Sequence, residues 1–351
     1  MKSISVTSYL KDYNNIITID VRSPAEFERG HIPRSINLPL FSDEERALVG
    51  ICYKNEGQAP AILLGLEIIG PKMANYVREA INISTQKKVV LYCWRGGKRS
   101  SSIAWLLQLN GFDVSVIFGG YKAYRQFILH ELSTVVLSLR VIGGKTGSGK
   151  SNVLKTLKIK HQQQILDLEA LANHKGSAFG SLGQTQQPTV EHFENLLYTE
   201  IQYLDCTKPI WIENESRKIG KVVVPDNFWE QKIKAPIYNI VIPFNVRLEN
   251  LVQEYGIHPI NELFTAFEKI QKHLAGQLNK IKLMLEKNEL HAAAEIALKY
   301  YDKTYQYSLD NSLASDIILI EHDTINATVI ADKIMMRAEI IEENKNPFQI
   351  N

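Results

Sequence analysis

An apolar strand that runs into a glycine-rich loop and then into a helix is the feature that most constrains this fold. The loop Gly144-Lys-Thr-Gly-Ser-Gly-Lys-Ser151 follows the apolar segment Leu137–Ile142 and leads into a helical pattern. In such a P-loop, backbone N–H groups surround phosphate oxygens, the lysine adds a positive charge and the serine can reach a magnesium ion. The pattern does not specify ATP, because a diphosphate leaving group would fit the same loop. We expect phosphate to bind at Gly144, Gly147, Gly149, Lys150 and Ser151.

A second loop of the same kind carries a cysteine. The strand pattern Lys88–Tyr92 leads through Cys93-Trp-Arg-Gly-Gly-Lys-Arg-Ser100 into a helix. Backbone N–H groups, the helix N-terminus and the guanidinium groups of Arg95 and Arg99 favour a thiolate over a thiol. We therefore predict that Cys93 is a nucleophile and that the two arginines hold an anion. The spacing Cys93-x5-Arg99 also fits a cysteine phosphatase, whose thiolate attacks phosphorus.

The length and the alternating patterns predict two α/β domains. A chain of 351 residues is long enough for two hydrophobic cores. Apolar strand patterns alternate with helical patterns, which predicts parallel sheets covered on both faces. We place a first domain at residues 1–132 and a P-loop domain at residues 133–351, with a helical insertion at about 245–308.

The composition narrows the class of protein. Forty basic residues against 38 acidic ones leave a net charge of +2, so bulk charge does not indicate a nucleic-acid binder. The three cysteines have no metal-like spacing, which argues against a zinc site or a disulfide framework. The chain shows neither a signal-peptide pattern nor an apolar run long enough to span a bilayer. We expect a cytoplasmic protein without a membrane partner.

Polar residues in two later loops are candidates for substrate contacts. His174, Lys175 and Ser177 lie in a loop between a strand pattern and a helix pattern, and Arg217 follows a later strand. These side chains could bind a substrate phosphate or a ribose. Ordinary polar loop residues are the alternative.

Three carboxylates near strand ends are candidates for a metal site. Asp167, Glu169 and Glu213 lie at or just past apolar strand patterns, where a P-loop protein places a carboxylate directed at magnesium. None of them follows a clear Walker-B pattern. Capping of a loop or helix is the alternative, so the identity of the metal ligands stays open, with Asp167 and Glu213 as the leading candidates.

Several segments together carry a resemblance to known families. The run Asp20-Val-Arg-Ser-Pro-Ala-Glu-Phe-Glu-Arg-Gly-His-Ile-Pro-Arg-Ser-Ile-Asn-Leu-Pro39 resembles the signature of rhodanese domains, and Val116–Tyr121 resembles their closing strand and turn. With the Cys93 loop, the P-loop and Asp167–Gly180, nearly the whole chain resembles the tRNA 2-selenouridine synthase family. The other segments that fit this family are Asp43–Gly50, Tyr53-Lys54, Glu215–Gly220 and Tyr300–Asp302.

The resemblance implies a two-step exchange at the wobble uridine of certain tRNAs. Geranyl diphosphate alkylates the sulfur of 2-thiouridine, and selenium from selenophosphate then replaces the geranylthio group. On this basis we assign the diphosphate to the P-loop and selenium transfer to Cys93, with Arg95 and Arg99 holding the donor. The resemblance implies tRNA as a partner and no tightly bound cofactor. Magnesium is a candidate ion, and an enzyme that supplies selenophosphate is a candidate partner.

Two other interpretations remain open. One is a sulfurtransferase or cysteine phosphatase fused to a P-loop kinase or ATPase. The other is a non-enzymatic module in which nucleotide binding switches a rhodanese interaction domain. ATP hydrolysis that depends on Lys150 would favour either alternative, whereas turnover of geranyl diphosphate without ATP would favour the transferase.

Overall fold

The computed structural model describes residues 2–274 and 276–345, without the side chains of residues 344 and 345. The chain divides into two units. The first comprises Met1–Leu132 and Glu194–Thr199, and the second comprises Ser133–Phe193 and Glu200–Asn351. The outermost parts of the two predicted domains, residue 1 and residues 346–351, lie outside the described residues.

A five-stranded parallel sheet forms the centre of the first unit. Its strands are β1 (Lys2–Ile4), β2 (Ile17–Asp20), β3 (Ile36–Asn37), β4 (Lys88–Tyr92) and β5 (Asp113–Ile117). They lie in the order β1-β5-β4-β2-β3, and each neighbouring pair is parallel. Strand β4, which leads into Cys93, is therefore the central strand.

Seven helices accompany this sheet: α1 (Val6–Lys11), α2 (Pro24–Arg29), α3 (Asp43–Glu56), α4 (Gln58–Ile69), α5 (Met73–Ile83), α6 (Lys98–Leu109) and α7 (Gly120–Thr134). Helix α3 begins with a capping box, because Ser42 Oγ accepts the Glu45 N–H at 3.2 Å and Glu45 Oε2 accepts the Ser42 N–H at 2.9 Å. The apolar faces of α5 and α6 bury their side chains against the sheet in one core, whose members include Ile19, Leu91, Ile103 and Leu107.

The second unit contains another five-stranded parallel sheet and a short antiparallel ribbon. The strands are β6 (Leu139–Gly144), β7 (Gln164–Leu166), β8 (Ile210–Glu213), β9 (Lys218–Ile219), β10 (Val222–Val223), β11 (Ile237–Val241) and β12 (Ile317–Glu321). The sheet order is β12-β11-β6-β8-β7, and β9 pairs with β10. Strand β6, which leads into the P-loop, is central. The predicted α/β class with parallel sheets is confirmed.

The later helices of the chain are α8 (Lys150–His161), α9 (Leu168–Ala172), α10 (Val190–Ile201), α11 (Asp226–Lys234), α12 (Phe244–Tyr255), α13 (Ile260–Lys269), α14 (Leu278–Glu286), α15 (Leu290–Asp310) and α16 (Ala327–Lys345). They belong to the second unit, except that Glu194–Thr199 of α10 belongs to the first. Helices α12 to α15 lie between β11 and β12 in the chain and contribute to a core of their own, which includes Leu263, Phe267, Ile281 and Leu285. Among the helices in the described part of the chain, none is long and apolar enough to cross a membrane.

Candidate functional site

The P-loop depends on glycine for its conformation. Gly144, Gly147 and Gly149 have φ angles of 147°, 83° and 78°, which L-residues with a side chain rarely adopt. A Cβ at Gly147 would lie 2.8 Å from the carbonyl oxygen of Arg247, and one at Gly149 would lie 2.6 Å from Cγ2 of Ile325. Helix α8 starts directly after the loop, so its unpaired N–H groups face the space that the loop encloses.

Hydrogen bonds hold the first glycine and the lysine of the loop. Lys150 Nζ donates to the carbonyl oxygen of Gly144 at 3.0 Å. The N–H of Gly144 donates to the hydroxyl of Tyr305 at 2.7 Å, and that hydroxyl donates to Asn239 Oδ1 at 2.6 Å. Tyr305 belongs to α15, so the helical insertion between β11 and β12 supports the start of the P-loop.

A second set of contacts fixes the outer part of the loop. Arg247 Nη1 donates to the carbonyl oxygen of Thr146 at 3.1 Å, and the same guanidinium makes two hydrogen bonds to Asp302, at 2.8 and 2.7 Å. Asn250 Nδ2 donates to the carbonyl oxygen of Gly147 at 3.2 Å. The P-loop is therefore fixed by α12 and α15 as well as by its own helix.

Three glutamates form an acidic cluster next to the P-loop serine. Glu169, Glu213 and Glu215 each offer an oxygen within 4.8 Å of the others, and Ser151 Oγ donates to Glu169 Oε2 at 3.3 Å. Glu213 is 1 % exposed, and neither carboxylate oxygen has a hydrogen-bond partner within the described residues. Burial and the neighbouring carboxylates raise the pKa of Glu169, and burial raises the pKa of Glu213 although the charge of Lys150 opposes it. This oxygen set suits magnesium or a similar hard cation.

The chain after β8 positions the third glutamate. Lys232 Nζ donates to Asn214 Oδ1 at 2.7 Å and to the carbonyl oxygen of Glu215 at 2.5 Å. Burial lowers the pKa of Lys232 to about 8, against the opposing charge of Glu215. A Cβ at Gly176 would lie 2.1 Å from Glu215 Oε2, so glycine there leaves the space that this carboxylate occupies.

The predicted substrate residues have different surroundings. Lys175 pairs with Glu254 at 2.5 Å, and both side chains line the same cleft as the P-loop. Ser177 also lines this cleft, and its Oγ accepts the N–H of Phe179 at 3.2 Å. His174 is buried and is not among the residues that line this cleft. Its backbone N–H donates to the carbonyl oxygen of Glu169 at 3.0 Å, and burial lowers the pKa of its ring.

Two other predicted residues have local partners. Asp167 lines the cleft and caps α9, since its Oδ1 accepts the Ala170 N–H at 2.9 Å. Glu213 belongs to the acidic cluster, whereas Asp167 is not among its three residues. Arg217 is exposed, forms an ion pair with Asp226 and is not among the residues lining the cleft.

The P-loop, the acidic cluster, Lys175 and Ser177 border one cleft in the second unit. Its volume is about 820 Å³. Ligand pockets typically enclose roughly 300 to 1,000 Å³, so this cleft has space for a diphosphate and for a larger group attached to it. The P-loop and the acidic cluster meet at this cleft through the hydrogen bond between Ser151 and Glu169.

Cys93 lies at the carboxyl end of β4 in the first unit. Its side chain is buried, with Sγ 3.2 Å from Ser100 Oγ and 4.0 Å from the carbonyl oxygen of Gly97. Helix α6 begins at Lys98, which places a helix N-terminus beside the loop. An anion at this loop would meet unpaired N–H groups.

The two arginines of the Cys93 loop differ in their surroundings. Arg99 donates two hydrogen bonds to the carboxylate of Glu26, one of them 3.2 Å long from Nη2 to Oε1. Partial burial would raise the pKa of Glu26, but the Arg99 guanidinium lowers it below its usual value. Arg95 is exposed. The positive charge of Arg99 is therefore partly compensated, and Arg95 faces solvent.

The segment after β5 supports the Cys93 loop. The N–H of Tyr121 donates to the carbonyl oxygen of Cys93 and the N–H of Lys122 to that of Trp94, both at 2.9 Å. Gly120 has a φ of 61°, and a Cβ there would lie 2.3 Å from the Cys93 carbonyl oxygen and 2.4 Å from the backbone nitrogen of Gly96. Only glycine lets the two backbones approach this closely.

The Asp20–Pro39 segment braces the same unit through a buried ion pair. Arg22 Nη2 lies 2.6 Å from Asp20 Oδ2, and both side chains are buried. The guanidinium lies 3.9 Å from the centroid of the Tyr121 ring, in the turn that supports Cys93. This part of the signature thus has a structural role.

Comparison with known proteins identifies the family. Residues 137–299 match the family model of the tRNA 2-selenouridine synthase AAA domain, and residues 6–127 match the rhodanese-like domain. The tRNA 2-selenouridine synthase of Sulfurovum sp. (strain NBC37-1) is 35% identical over 334 residues, which cover 85% of this chain and 90% of that protein. The chain belongs to the tRNA 2-selenouridine synthase family.

Two more family members show the same relationship. The tRNA 2-selenouridine synthase of Psychromonas ingrahamii is 35% identical over 83% of this chain and 87% of its own length. That of Nitrosomonas europaea is 39% identical over 68% of this chain and 63% of its own length. The resemblance identified from the sequence motifs is confirmed.

Sequence reasoning missed several residues that shape the P-loop cleft. Glu215 and Asp302 lie in segments that carried the family resemblance, yet nothing in those segments indicated an acidic cluster or a partner for Arg247. Tyr305 lies more than a hundred residues from the P-loop in sequence and left no local signal. The closeness of these residues to the loop comes only from the fold.

Proposed function

We propose that this protein converts wobble 2-thiouridine in tRNA to 2-selenouridine by geranylation followed by selenium transfer. The observation that carries the proposal is the cleft of the second unit, where a P-loop and three glutamates border space for more than a diphosphate. The names of its relatives support a tRNA substrate and a 2-selenouridine product. We place the reaction in the cytoplasm, with selenophosphate supplied by another enzyme.

The P-loop cleft is the proposed site of geranylation. The sulfur of 2-thiouridine forms a bond to C1 of geranyl diphosphate, the C1–O bond breaks, pyrophosphate leaves with the electron pair, and N3 of the base releases its proton. Negative charge grows on the departing oxygen, and the N–H groups of Gly147 and Gly149 with the Lys150 ammonium would stabilise it.

Lys175, Ser177 and Arg217 remain proposed substrate contacts, with Arg217 at the periphery. For His174 we propose support of the cleft wall.

A magnesium ion would fit between Ser151, Glu169, Glu213 and Glu215. The fit rests on buried Glu213, whose two carboxylate oxygens have no hydrogen-bond partner within the described residues. Burying an unpaired carboxylate costs free energy, and a bound cation would offset that cost. A bound ion would neutralise charge on the pyrophosphate. The glutamates would hold the ion beside Ser151, the second residue of α8.

The Cys93 loop is the proposed site of selenium delivery. Selenophosphate, water and the geranylated nucleoside give 2-selenouridine, geranylthiol and phosphate, without a change in oxidation state. The N-terminus of α6 and Arg95 would hold the selenophosphate anion, with Arg99 positioned by Glu26. For Cys93 we propose attack of its thiolate on phosphorus, in which the S–P bond forms, the P–Se bond breaks and hydroselenide leaves. Hydroselenide then replaces geranylthiolate at C2 of the base, and water hydrolyses the phosphocysteine to phosphate and the free thiol.

A basic groove in the helical insertion is the proposed tRNA contact. Lys280, Lys299 and Lys303 line a groove of about 460 Å³ together with Tyr300 and His273, whose rings stack at 4.9 Å. Lysines beside stacked rings combine phosphate contacts with surfaces on which bases can stack.

The test is mass spectrometry of nucleosides after incubation of 2-thiouridine tRNA with geranyl diphosphate and no ATP. Wild type should accumulate the S-geranyl nucleoside. Lys150→Ala should reduce its rate of formation by about 100-fold or more, because the charge on the leaving group loses its main cation. Lys158→Ala, an exposed lysine of the same helix, is the matched control and should match wild type. ATP hydrolysis that depends on Lys150, with no geranylated nucleoside, would contradict the proposal.

A further inference from the structure

An apolar pocket adjoins the P-loop cleft in the second unit. Thr146 of the P-loop, with Ser177, Leu251, Tyr255 and Tyr301, lines both spaces. Beyond these shared residues the pocket wall is made almost wholly of hydrocarbon, from Phe179, Leu263, Phe267, Leu285, Ala294 and Ala297. A phosphate cradle and an apolar pocket therefore share one border.

We propose that this pocket binds the far end of the hydrocarbon chain of a prenyl diphosphate whose diphosphate lies at the P-loop. The inference rests on the proposed function and names the chain-binding part of that site. A prenyl diphosphate has a highly charged head and an apolar tail. The head binds favourably only where polar or charged groups replace its water, and the tail binds favourably where apolar side chains surround it. A molecule that occupies both spaces would pass between the five residues that line both.

The size of the pocket limits how much of the chain it holds. Its volume is about 60 Å³. A cavity of about 150 Å³ binds the six carbons of benzene, so this pocket has space for about two or three carbons. This matches the branched end of a prenyl chain, which carries two methyl groups on one carbon. A ten-carbon geranyl chain would place that end in the pocket and its reacting unit in the cleft, whereas a five-carbon chain would leave the pocket empty.

Small residues on α15 create the space. Ala293, Ala294 and Ala297 lie on the pocket side of this helix; Ala293 and Ala297 are buried, and Ala294 is half-buried. Leucine at 294 would add three carbons at the pocket wall while the two buried alanines stay unchanged. Ala292, also half-buried, lines the basic groove instead of the apolar pocket and provides a control on the same helix.

The experiment compares the affinities of the full-length protein for geranyl diphosphate and inorganic pyrophosphate by calorimetry. Wild type should bind geranyl diphosphate at least about tenfold more tightly than pyrophosphate, because each methylene group that packs against the apolar wall increases the affinity. Ala294→Leu should weaken geranyl diphosphate binding by about tenfold or more and leave pyrophosphate binding unchanged. Ala292→Leu should change neither affinity.

A second variant extends the test in the opposite direction. Leu290 is a half-buried wall residue, and Leu290→Ala should enlarge the pocket. Wild type should bind farnesyl diphosphate, with one more isoprene unit, less tightly than geranyl diphosphate, and Leu290→Ala should reduce this difference. Equal affinities of wild type for geranyl diphosphate and pyrophosphate would overturn the inference, as would identical behaviour of Ala294→Leu and Ala292→Leu.

Nucleoside analysis of the same wild-type protein separates this inference from the proposed function. If wild type forms geranylated nucleoside but binds pyrophosphate as tightly as geranyl diphosphate, the pocket assignment is wrong and the reaction stands. If binding depends on chain length and on residue 294 but no geranylated nucleoside forms, the pocket assignment stands and the proposed reaction is wrong.

Discussion

At the scale of single residues, the ion pair between Arg99 and Glu26 determines how much positive charge the Cys93 loop presents. Both side chains are about four-fifths buried, and Glu26 satisfies two donors of the guanidinium. Arg95 remains exposed to solvent. We infer that Arg95 meets an incoming anion first, while Glu26 keeps Arg99 in a fixed orientation.

This ion pair predicts a pH-dependent contribution to stability. The pKa of Glu26 is lower in the folded protein than its unfolded value near 4.5. Its stabilising effect is therefore fully present above pH 4.5 and is lost as the pH falls through the lower folded pKa. Glu26→Gln should reduce the free energy of unfolding by about 2 kcal/mol at pH 7, and the difference from wild type should shrink in acid.

Urea denaturation of wild type and Glu26→Gln at a series of pH values measures this difference. Glu28→Gln, an exposed glutamate of the same helix, is the control and should behave like wild type. A loss of stability in Glu26→Gln that is the same at pH 7 and in acid would contradict the assignment.

The acidic cluster predicts a specific response to magnesium. The cluster consists of Glu169, Glu213 and Glu215. Replacing one of the three carboxylates removes an oxygen ligand and part of the negative charge. Glu213→Gln should weaken Mg²⁺ binding by about tenfold or more, a loss typical of altered metal surroundings. The rise of the thermal unfolding temperature with increasing Mg²⁺ concentration measures this affinity. Glu254→Gln, a cleft carboxylate outside the cluster, should keep the wild-type response, and equal responses of the two variants would contradict a metal site at the cluster.

At the scale of elements, both proposed anion sites follow the central strand of a parallel sheet, and each is supported by a segment distant in sequence. The turn at Gly119–Gly120 supports the Cys93 loop, and helices α12 and α15 support the P-loop. These supports fix the loop backbones before a ligand arrives, so less conformational entropy is lost on binding.

The Gly120 turn can be tested with a matched glycine. Gly120 and Gly111 both have positive φ, but a Cβ at Gly120 overlaps backbone atoms, while one at Gly111 meets only Lys87 Nζ at 4.0 Å. Gly111→Ala should cost about 1 kcal/mol in the free energy of unfolding, the cost of the backbone conformation alone. Gly120→Ala should cost clearly more and should impair selenium transfer while geranylation continues. Equal losses in the two variants would contradict the supporting role of the turn.

The sequence predicted those elements whose signal is local. The predicted strand Lys88–Tyr92 coincides with β4, and the apolar segment Leu137–Ile142 before the P-loop overlaps β6 (Leu139–Gly144). Strands β1, β9 and β10 were not predicted, because two or three residues are too few for a periodic pattern. The surroundings of the site could not be predicted either, since Glu215, Tyr305 and Asp302 reach the P-loop only through tertiary packing.

At the scale of the whole molecule, the proposed chemistry is divided between two units with one anion site each. A tRNA is large compared with either site, so a separate basic surface is expected to contribute to its binding. The groove with Lys280 and Lys303 fits this role, because neither lysine has an ion-pair partner within the described residues.

This groove predicts the salt dependence of tRNA binding. The double variant Lys280→Ala/Lys303→Ala should weaken tRNA binding and reduce the slope of log affinity against log salt by about 1.5, because two phosphate contacts are lost. Fluorescence anisotropy with labelled tRNA at several salt concentrations measures the slope. Lys158→Ala should keep the wild-type slope, and an unchanged slope in the double variant would place the tRNA elsewhere.

The most direct test of the division of labour supplies tRNA that already carries S-geranyl-2-thiouridine, together with selenophosphate, and measures 2-selenouridine by mass spectrometry. Lys150→Ala should form 2-selenouridine at the wild-type rate, because the step assigned to the P-loop has been bypassed. Cys93→Ala should form none. Loss of selenation in Lys150→Ala, or normal selenation in Cys93→Ala, would contradict the assignment of the two steps to the two sites.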